Sequence, residues 1–384
     1  MEFSSWYSQH FEARLQGRYI QLEHILPLLH EYKSLFSIFE IGRSELGNEI
    51  HCVKIGQGKK VILGWSQMHG NESTTTKALF DLFKFLGQED RFQGEIGRFL
   101  KEYTLYLIPM LNPDGAAAYT RENANGFDLN RDAKELSQAE SRVLRDFFDE
   151  INPDLCLNLH DQRTLYSLPG DKCATVSFLA PSADAERSLT TARRIAMEYI
   201  VRMATVLEEL ISGQIGRYDD SFNENCVGDT FQMKGVPTIL FEAGHFPQDY
   251  QRERTREYIF YAFLCMLGFI ETKEPVEHVE YFRIPENEKG FRDVILRNVL
   301  LEKRLVSVAI RLEETLHGDA IRFSPLIEEV GDLDHLAGLE EIDVGGAQIL
   351  LNCYENVIVN EKVVSIVDKN ATNRVFYRDS YSDI

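Results

Sequence analysis

A chain of 384 residues with 44% hydrophobic and 11% aromatic side chains can fill a sizeable core, as one large domain with an appendage. Its net charge of −20 argues against nucleic acid or an anionic membrane as a partner. No uncharged apolar run approaches the roughly 18 residues of a membrane span, and the polar start "MEFSSWYSQHFEARLQGRY" holds no stretch of signal-peptide length, so the expected compartment is the cytoplasm.

In chain order, residues 20–33 ("IQLEHILPLLHEYK") repeat apolar side chains at helical spacing, with Pro27 as a kink. "SIFEIG" and "EIHCVKIG" alternate around "RSELGN" and predict a β-hairpin. The pattern then becomes strand, helix, strand, helix. Short apolar runs at 61–67, 103–110, 154–159 and 236–241 suit strands buried on both faces. Helices are expected over 74–87, 138–150, 183–211 and 249–271, and Ser137 with Glu140 three residues on suggests a capping box. This alternation predicts an α/β fold with a mixed, mostly parallel central sheet flanked by helices. A site is expected where such strands end, at their carboxyl side.

Composition shifts near "ETKEPVEH", residues 271–278, and runs such as "LVSVAIRL", "AQILLNC" and "VVSIV" follow. Two domains are therefore expected: 1–272, and a small, mostly-β unit over 273–384. The cysteines at 52, 156, 173, 226, 265 and 353 form no C-x-x-C pair and suggest neither a disulfide scaffold nor a four-cysteine zinc site.

Chemistry concentrates at the strand ends. After "VILGWSQ", the segment "MHGNESTTTKALF" sets His69 and Glu72 three apart on a bend before a helix. An imidazole and a carboxylate are good zinc ligands, though a lone H-x-x-E is weak. A catalytic zinc takes three protein ligands and leaves a fourth position open. His160, closing "DLCLNLH", is the best-placed third candidate, with Asp161 beside it to support a ligand. The loop 111–132 ("LNPDGAAAYTRENANGFDLNRD") contains Arg121, Asn130 and Arg131. Arginine suits bidentate recognition of carboxylate, so this loop either meets an anionic substrate or is a structural salt-bridge loop. Glu242 ends the apolar run of "PTILFEAGHF", where a carboxylate is costly unless paired or used as a base. His245 reads as a loop histidine without a role.

In this order the pieces "HGNE", "NPDG", "RENANGFDLNR", "LNLHD" and "LFEAG" resemble the zinc metallocarboxypeptidases, the carboxypeptidase A-like or funnelin family, over roughly residues 40–270. The resemblance implies one zinc ion per chain held by His69, Glu72 and His160. It implies that Arg121 polarises the scissile carbonyl, that Asn130 and Arg131 hold a substrate's C-terminal carboxylate, and that Glu242 is the general base. The substrate would be a peptide or amino-acid conjugate with a free carboxylate. The family's mobile tyrosine has no clean counterpart: Tyr218 lies early, Phe222 sits nearer the expected place, and the role stays unassigned. Asp229, near the position that sets side-chain preference in the family, would favour a basic residue. Three rival readings remain. An amino-acid N-deacylase of the succinylglutamate desuccinylase or aspartoacylase type shows "HGNE"-like and "DLNR"-like segments. A peptidase of cell-wall γ-D-glutamyl-diaminopimelate bonds shares the chemistry. A non-catalytic zinc- or peptide-binding module would have lost ligands or the glutamate, and here all are present. The oligomeric state is not legible.

Overall fold

The computed structural model describes residues 2–88 and 91–381. The chain divides into two compact units, residues 1–162 with 174–287, and residues 163–173 with 288–384.

The first unit is built on eight strands: β1 (Ser37–Arg43), β2 (Glu49–Gly56), β3 (Lys60–Ser66), β4 (Tyr103–Ile108), β5 (Leu155–Asp161), β8 (Val176–Leu179), β9 (Ile215–Arg217) and β10 (Thr238–Ala243). They lie in the order β1-β2-β4-β3-β5-β10-β8-β9. The middle four, β4-β3-β5-β10, run parallel. The β1–β2 hairpin is antiparallel as expected, β2 pairs β4 and β8 pairs β10 antiparallel, and β9 runs parallel to β8. This is the mixed, mostly parallel sheet that the alternation predicts.

Strand periodicity sorts the core into two. Ile62, Leu155, Leu157 and Phe241 join the larger cluster, under helices Leu22–Tyr32, Thr74–Leu86, Thr191–Glu208 and Glu253–Met266. Leu63, Trp65 and Cys156, one residue out of step, join the smaller cluster with helices Ala139–Ile151 and Val227–Met233. Both β5 and β10 are buried at every position, which explains why their apolar residues do not alternate with exposed polar ones. Among the described residues, no helix is long and apolar enough to cross a membrane.

The second unit contains β6 (Ser167–Leu168), β7 (Lys172–Cys173), β11 (Phe291–Leu301), β12 (Arg304–His317), β13 (Ala320–Gly331), β14 (Ala337–Asp343), β15 (Ile349–Leu351), β16 (Ser365–Asp368) and β17 (Val375–Arg378). They form sheets β13-β12-β11-β14, β15-β16-β17 and β6-β7, and the first two share a core that includes Val294, Leu296, Val308, Ile310, Ile349 and Ile366.

Three expectations need correction. The boundary at 272/273 falls instead at 287/288, because Tyr281 is fully buried in the larger core of the first unit. Residues 163–173 belong with the C-terminal unit, where Ser167 bridges Glu288 and the Phe291 N–H donates to Leu165 O. The capping box at Ser137 and Glu140 does not form. The Ser137 hydroxyl donates to Asp132 Oδ1 at 2.8 Å, and Glu140 instead accepts from the Glu45 N–H and from Asn123 Nδ2.

Candidate active site

The chain leaves β3 at Ser66, and Gln67 turns it with a left-handed φ of +49°. Met68 drops into the smaller core, the turn carries His69 and Glu72, and the helix Thr74–Leu86 begins. Gly70 is obligatory here: a Cβ on it would stand 1.9 Å from the Gly115 carbonyl carbon. The "NPDG" segment is the support on that side. Asn112 caps helix Pro113–Ala118 by accepting from Gly115 N–H at 2.8 Å, and its Nδ2 donates to Met68 O at 3.1 Å.

His160 sits next to last in β5, and in the parallel register Glu242 of β10 lies directly beside it. His69, Glu72 and His160, all buried, bring one ligand atom each to within 4.8 Å of one another. His69 Nδ1 lies 2.8 Å from Glu72 Oε1; His160 Nδ1 lies 2.9 Å from Glu72 Oε2 and 3.1 Å from His69 Nδ1. Donor atoms around a tetrahedral zinc stand roughly 3.3–3.6 Å apart, so the three groups are gathered at nearly that spacing. Two facing imidazole nitrogens and one carboxylate are a zinc donor set with a position to spare. The residues fit the metal.

Around these three candidate ligands, a second ring of contacts fixes their direction. His69 Nε2 lies 2.9 Å from Asp128 Oδ1, which turns Nδ1 toward the metal position. The Asp161 backbone N–H donates to Glu72 Oε2 at 3.1 Å, while its carboxylate caps the next helix through Thr74 Oγ1 at 2.5 Å. The support expected of Asp161 therefore reaches the ligand through its main chain. Arg121 spans Glu72 Oε1 at 3.2 Å and Asp128 Oδ2 at 3.1 Å, and its side chain is 43% exposed.

The charges answer to this setting. Burial works against the charged imidazole of His69, but the Glu72 and Asp128 carboxylates outweigh it and raise its pKa. Burial prevails at His160 and lowers its pKa despite Glu72. Burial also opposes the Glu72 carboxylate, yet His69 and His160 pull its pKa well down. Glu242 goes the other way. Burial, then the Glu72 and Asp161 charges, push its pKa well above the ordinary carboxylate value against the pull of Arg121.

Asn130 and Arg131 occupy a short 3-10 turn in the same loop. Asn130 Oδ1 accepts from the Val227 N–H at 3.2 Å, and the exposed Arg131 donates to Asn130 O at 2.8 Å and to Cys226 Sγ at 3.0 Å. Asp229 is buried, accepts from the Asn223 N–H at 2.9 Å, and has its pKa pushed up to about 6, chiefly by burial. Tyr218 follows β9, with its N–H on Phe178 O at 2.9 Å. His245 is buried, with its ring tilted against that of Tyr250 at 4.8 Å between centroids. Asp128 is the residue that sequence reasoning missed. In "NGFDLNR" it is one acid among several, and only the fold shows that Asp114 and Asp132 serve turns while Asp128 serves a ligand.

The zinc carboxypeptidase family profile matches residues 23–225, more than half of the chain, and the chain belongs to that family. It is 28% identical to carboxypeptidase M of Mus musculus over 186 residues, 41% of this chain and 42% of that protein. It is 25% identical to the carboxypeptidase N catalytic chain of Mus musculus over 211 residues, 43% of this chain and 46% of that one. The chain thus spans less than half the length of these curated relatives. Its fold resembles a crystal structure of a metallo-carboxypeptidase from Burkholderia cenocepacia, with a TM-score of 0.53 at 17% identity, over 68% of this chain and 70% of that one.

Proposed function

We propose that this chain is a zinc-dependent carboxypeptidase that hydrolyses the C-terminal amide bond of a peptide. The observation that carries the reading is the convergence of His69, Glu72 and His160 with Glu242 in register beside His160.

Zinc, when bound, supplies a Lewis acid able to bring the pKa of a water near 7. Glu242, a buried carboxyl with a raised pKa, takes the proton of the attacking water and returns it to the leaving amine. Arg121 is anchored on Asp128 and Glu72 yet exposed, so its guanidinium can meet the developing oxyanion. Arg131, exposed in the same loop, and Asn130 receive the terminal carboxylate, which restricts cleavage to chain ends. Asp128 keeps His69 oriented and holds Arg121 in place.

The test pairs metal analysis with a C-terminal residue release screen on a peptide library. Glu242→Gln should keep one zinc per chain and lose nearly all turnover; near-normal turnover refutes the assigned base. Arg121→Ala should cut kcat by about a hundredfold to a thousandfold, the usual cost of one oxyanion donor. N-acyl amino acids and muropeptides belong in the same panel. Cleavage of either class in place of ordinary peptides overturns the proposed substrate and leaves the hydrolytic chemistry standing.

A further inference from the structure

The turn that bears His69 and Glu72 is held from behind by chain that lies outside the region matched by the family profile, residues 23–225. Gln67 is fully buried and left-handed, a conformation that strains a residue with a long side chain. Its carboxamide binds in three directions. Nε2 donates to Ile20 O at 2.6 Å and to Gly70 O at 2.9 Å, and Oε1 accepts from Thr76 Oγ1 at 2.9 Å. One side chain thereby joins the entry of the turn, the peptide between the two ligands and the first turn of the following helix to the N-terminal segment. Ser73, also fully buried, adds a bond from its hydroxyl to Arg18 O at 2.6 Å.

That segment is itself pinned. The buried Arg256 guanidinium donates to Leu15 O at 2.6 Å and to Glu12 O at 2.9 Å. Asp81 accepts from Glu12 N–H at 2.7 Å, and Glu253 from Gly17 N–H at 2.9 Å.

We infer that Gln67 and Ser73 are positioning residues for the metal, and that residues 11–20 act through them to keep the turn of His69 and Glu72 in its binding shape. The inference rests on the reading of His69, Glu72 and His160 as zinc ligands. Strand β3 and the helix after the turn have their own hydrogen-bond ladders, whereas the turn between them has a few main-chain bonds, Glu72 N–H to His69 O and Asn71 N–H to Thr120 O, both at 3.1 Å. The buried side chains of Gln67 and Ser73 supply the rest of its anchorage. A turn released from Gln67 would present its two ligands over a wider range of positions. Metal binding would then have to impose the order that is now built in.

The experiment measures the zinc dissociation constant by chelator competition on the full chain, together with the unfolding temperature of the metal-free protein. Glycine adopts the left-handed backbone without strain, so Gln67→Gly removes the carboxamide without placing a strained side chain at that position. Zinc affinity should fall about tenfold to hundredfold, as for other outer-sphere supports of a metal. Ser73→Ala removes one hydroxyl and should cost about fivefold. A purely structural role would lower the unfolding temperature but leave zinc affinity, measured well below that temperature, unchanged. Folded variants that bind zinc within twofold of the parent overturn the inference, and Ser73→Ala decides alone should Gln67→Gly not fold. A parent chain that takes up no zinc overturns the ligand assignment itself, which a change confined to the variants does not.

Discussion

Asp128 shows how much a single carboxylate does at this site. One oxygen faces His69 Nε2 at 2.9 Å and also accepts from the Asn130 N–H at 2.9 Å, while the other receives Arg121. Burial opposes its charge, but His69 and Arg121 hold its pKa well below the usual carboxylate range, so it is ionised at any working pH. Asp128→Asn keeps the shape and removes the charge. We expect zinc affinity to fall about tenfold to hundredfold, with a further loss of kcat as Arg121 loosens. Chelator competition and steady-state kinetics check the two effects separately, and a variant matching the parent in both would leave Asp128 without a role. Glu242 gives a pH prediction. In the proposed role of base it works only when deprotonated, so turnover should decline as pH falls through its pKa. In the metal-free site, burial and then the Glu72 and Asp161 charges raise that pKa above the ordinary 4.5, and we expect burial to keep it raised when a cation neutralises Glu72. The acid limb of kcat/KM should therefore lie above pH 4.5, and a limb at or below that value would mean that the carboxyl is well solvated in the working enzyme.

At the scale of elements, the sequence was most readable where burial alone determines structure. Strands β3, β4, β5 and β10 are runs of apolar residues packed on both faces, and their carboxyl ends carry the candidate chemistry. Elements held by tertiary contacts were not readable. Helix Gln93–Glu102 contains Gly94 and Gly97, which weaken its intrinsic preference, and strands β8 and β9 have four and three residues. The helix expected over 183–211 begins only at Thr191, capped by Thr190. Asp220 draws the preceding residues into a loop by receiving Arg187 and Arg193. The pairing of Asp81 with Arg256, 175 positions apart, has no local signature at all. Both are fully buried, and they join helix Thr74–Leu86 to helix Glu253–Met266 and to the N-terminal segment. Arg256→Ala would strand the Asp81 carboxylate and two backbone carbonyls. It should cost about 3–5 kcal/mol in urea unfolding; a loss under about 1 kcal/mol would mean that Asp81 takes a proton and needs no partner.

For the whole molecule, the question is where the first unit ends, and the polar stretch near residue 272 is misleading. Its composition is that of a linker, yet the chain returns to the same unit afterwards. Tyr281 is fully buried, with its hydroxyl accepting from the Ala180 N–H at 3.2 Å. Beyond it, Arg217 N–H donates to Pro285 O at 2.7 Å and Asn287 N–H to Arg217 O at 2.9 Å, which extends the sheet past β9. A chain ending at residue 272 should therefore be less stable than one ending at residue 287. The loss of Tyr281 alone should cost about 3–5 kcal/mol, as for other large aromatic side chains removed from a core. Both shortened chains leave residues 163–173 without their β partners, so that defect cancels in the comparison. Thermal unfolding of the two with zinc bound is the measurement, and Tyr281→Ala in the full chain should reproduce most of the difference. Equal unfolding temperatures would return the boundary to residue 272 and make the packing of Tyr281 incidental. The predicted difference would instead mean that the first unit needs the segment that composition assigns to its neighbour.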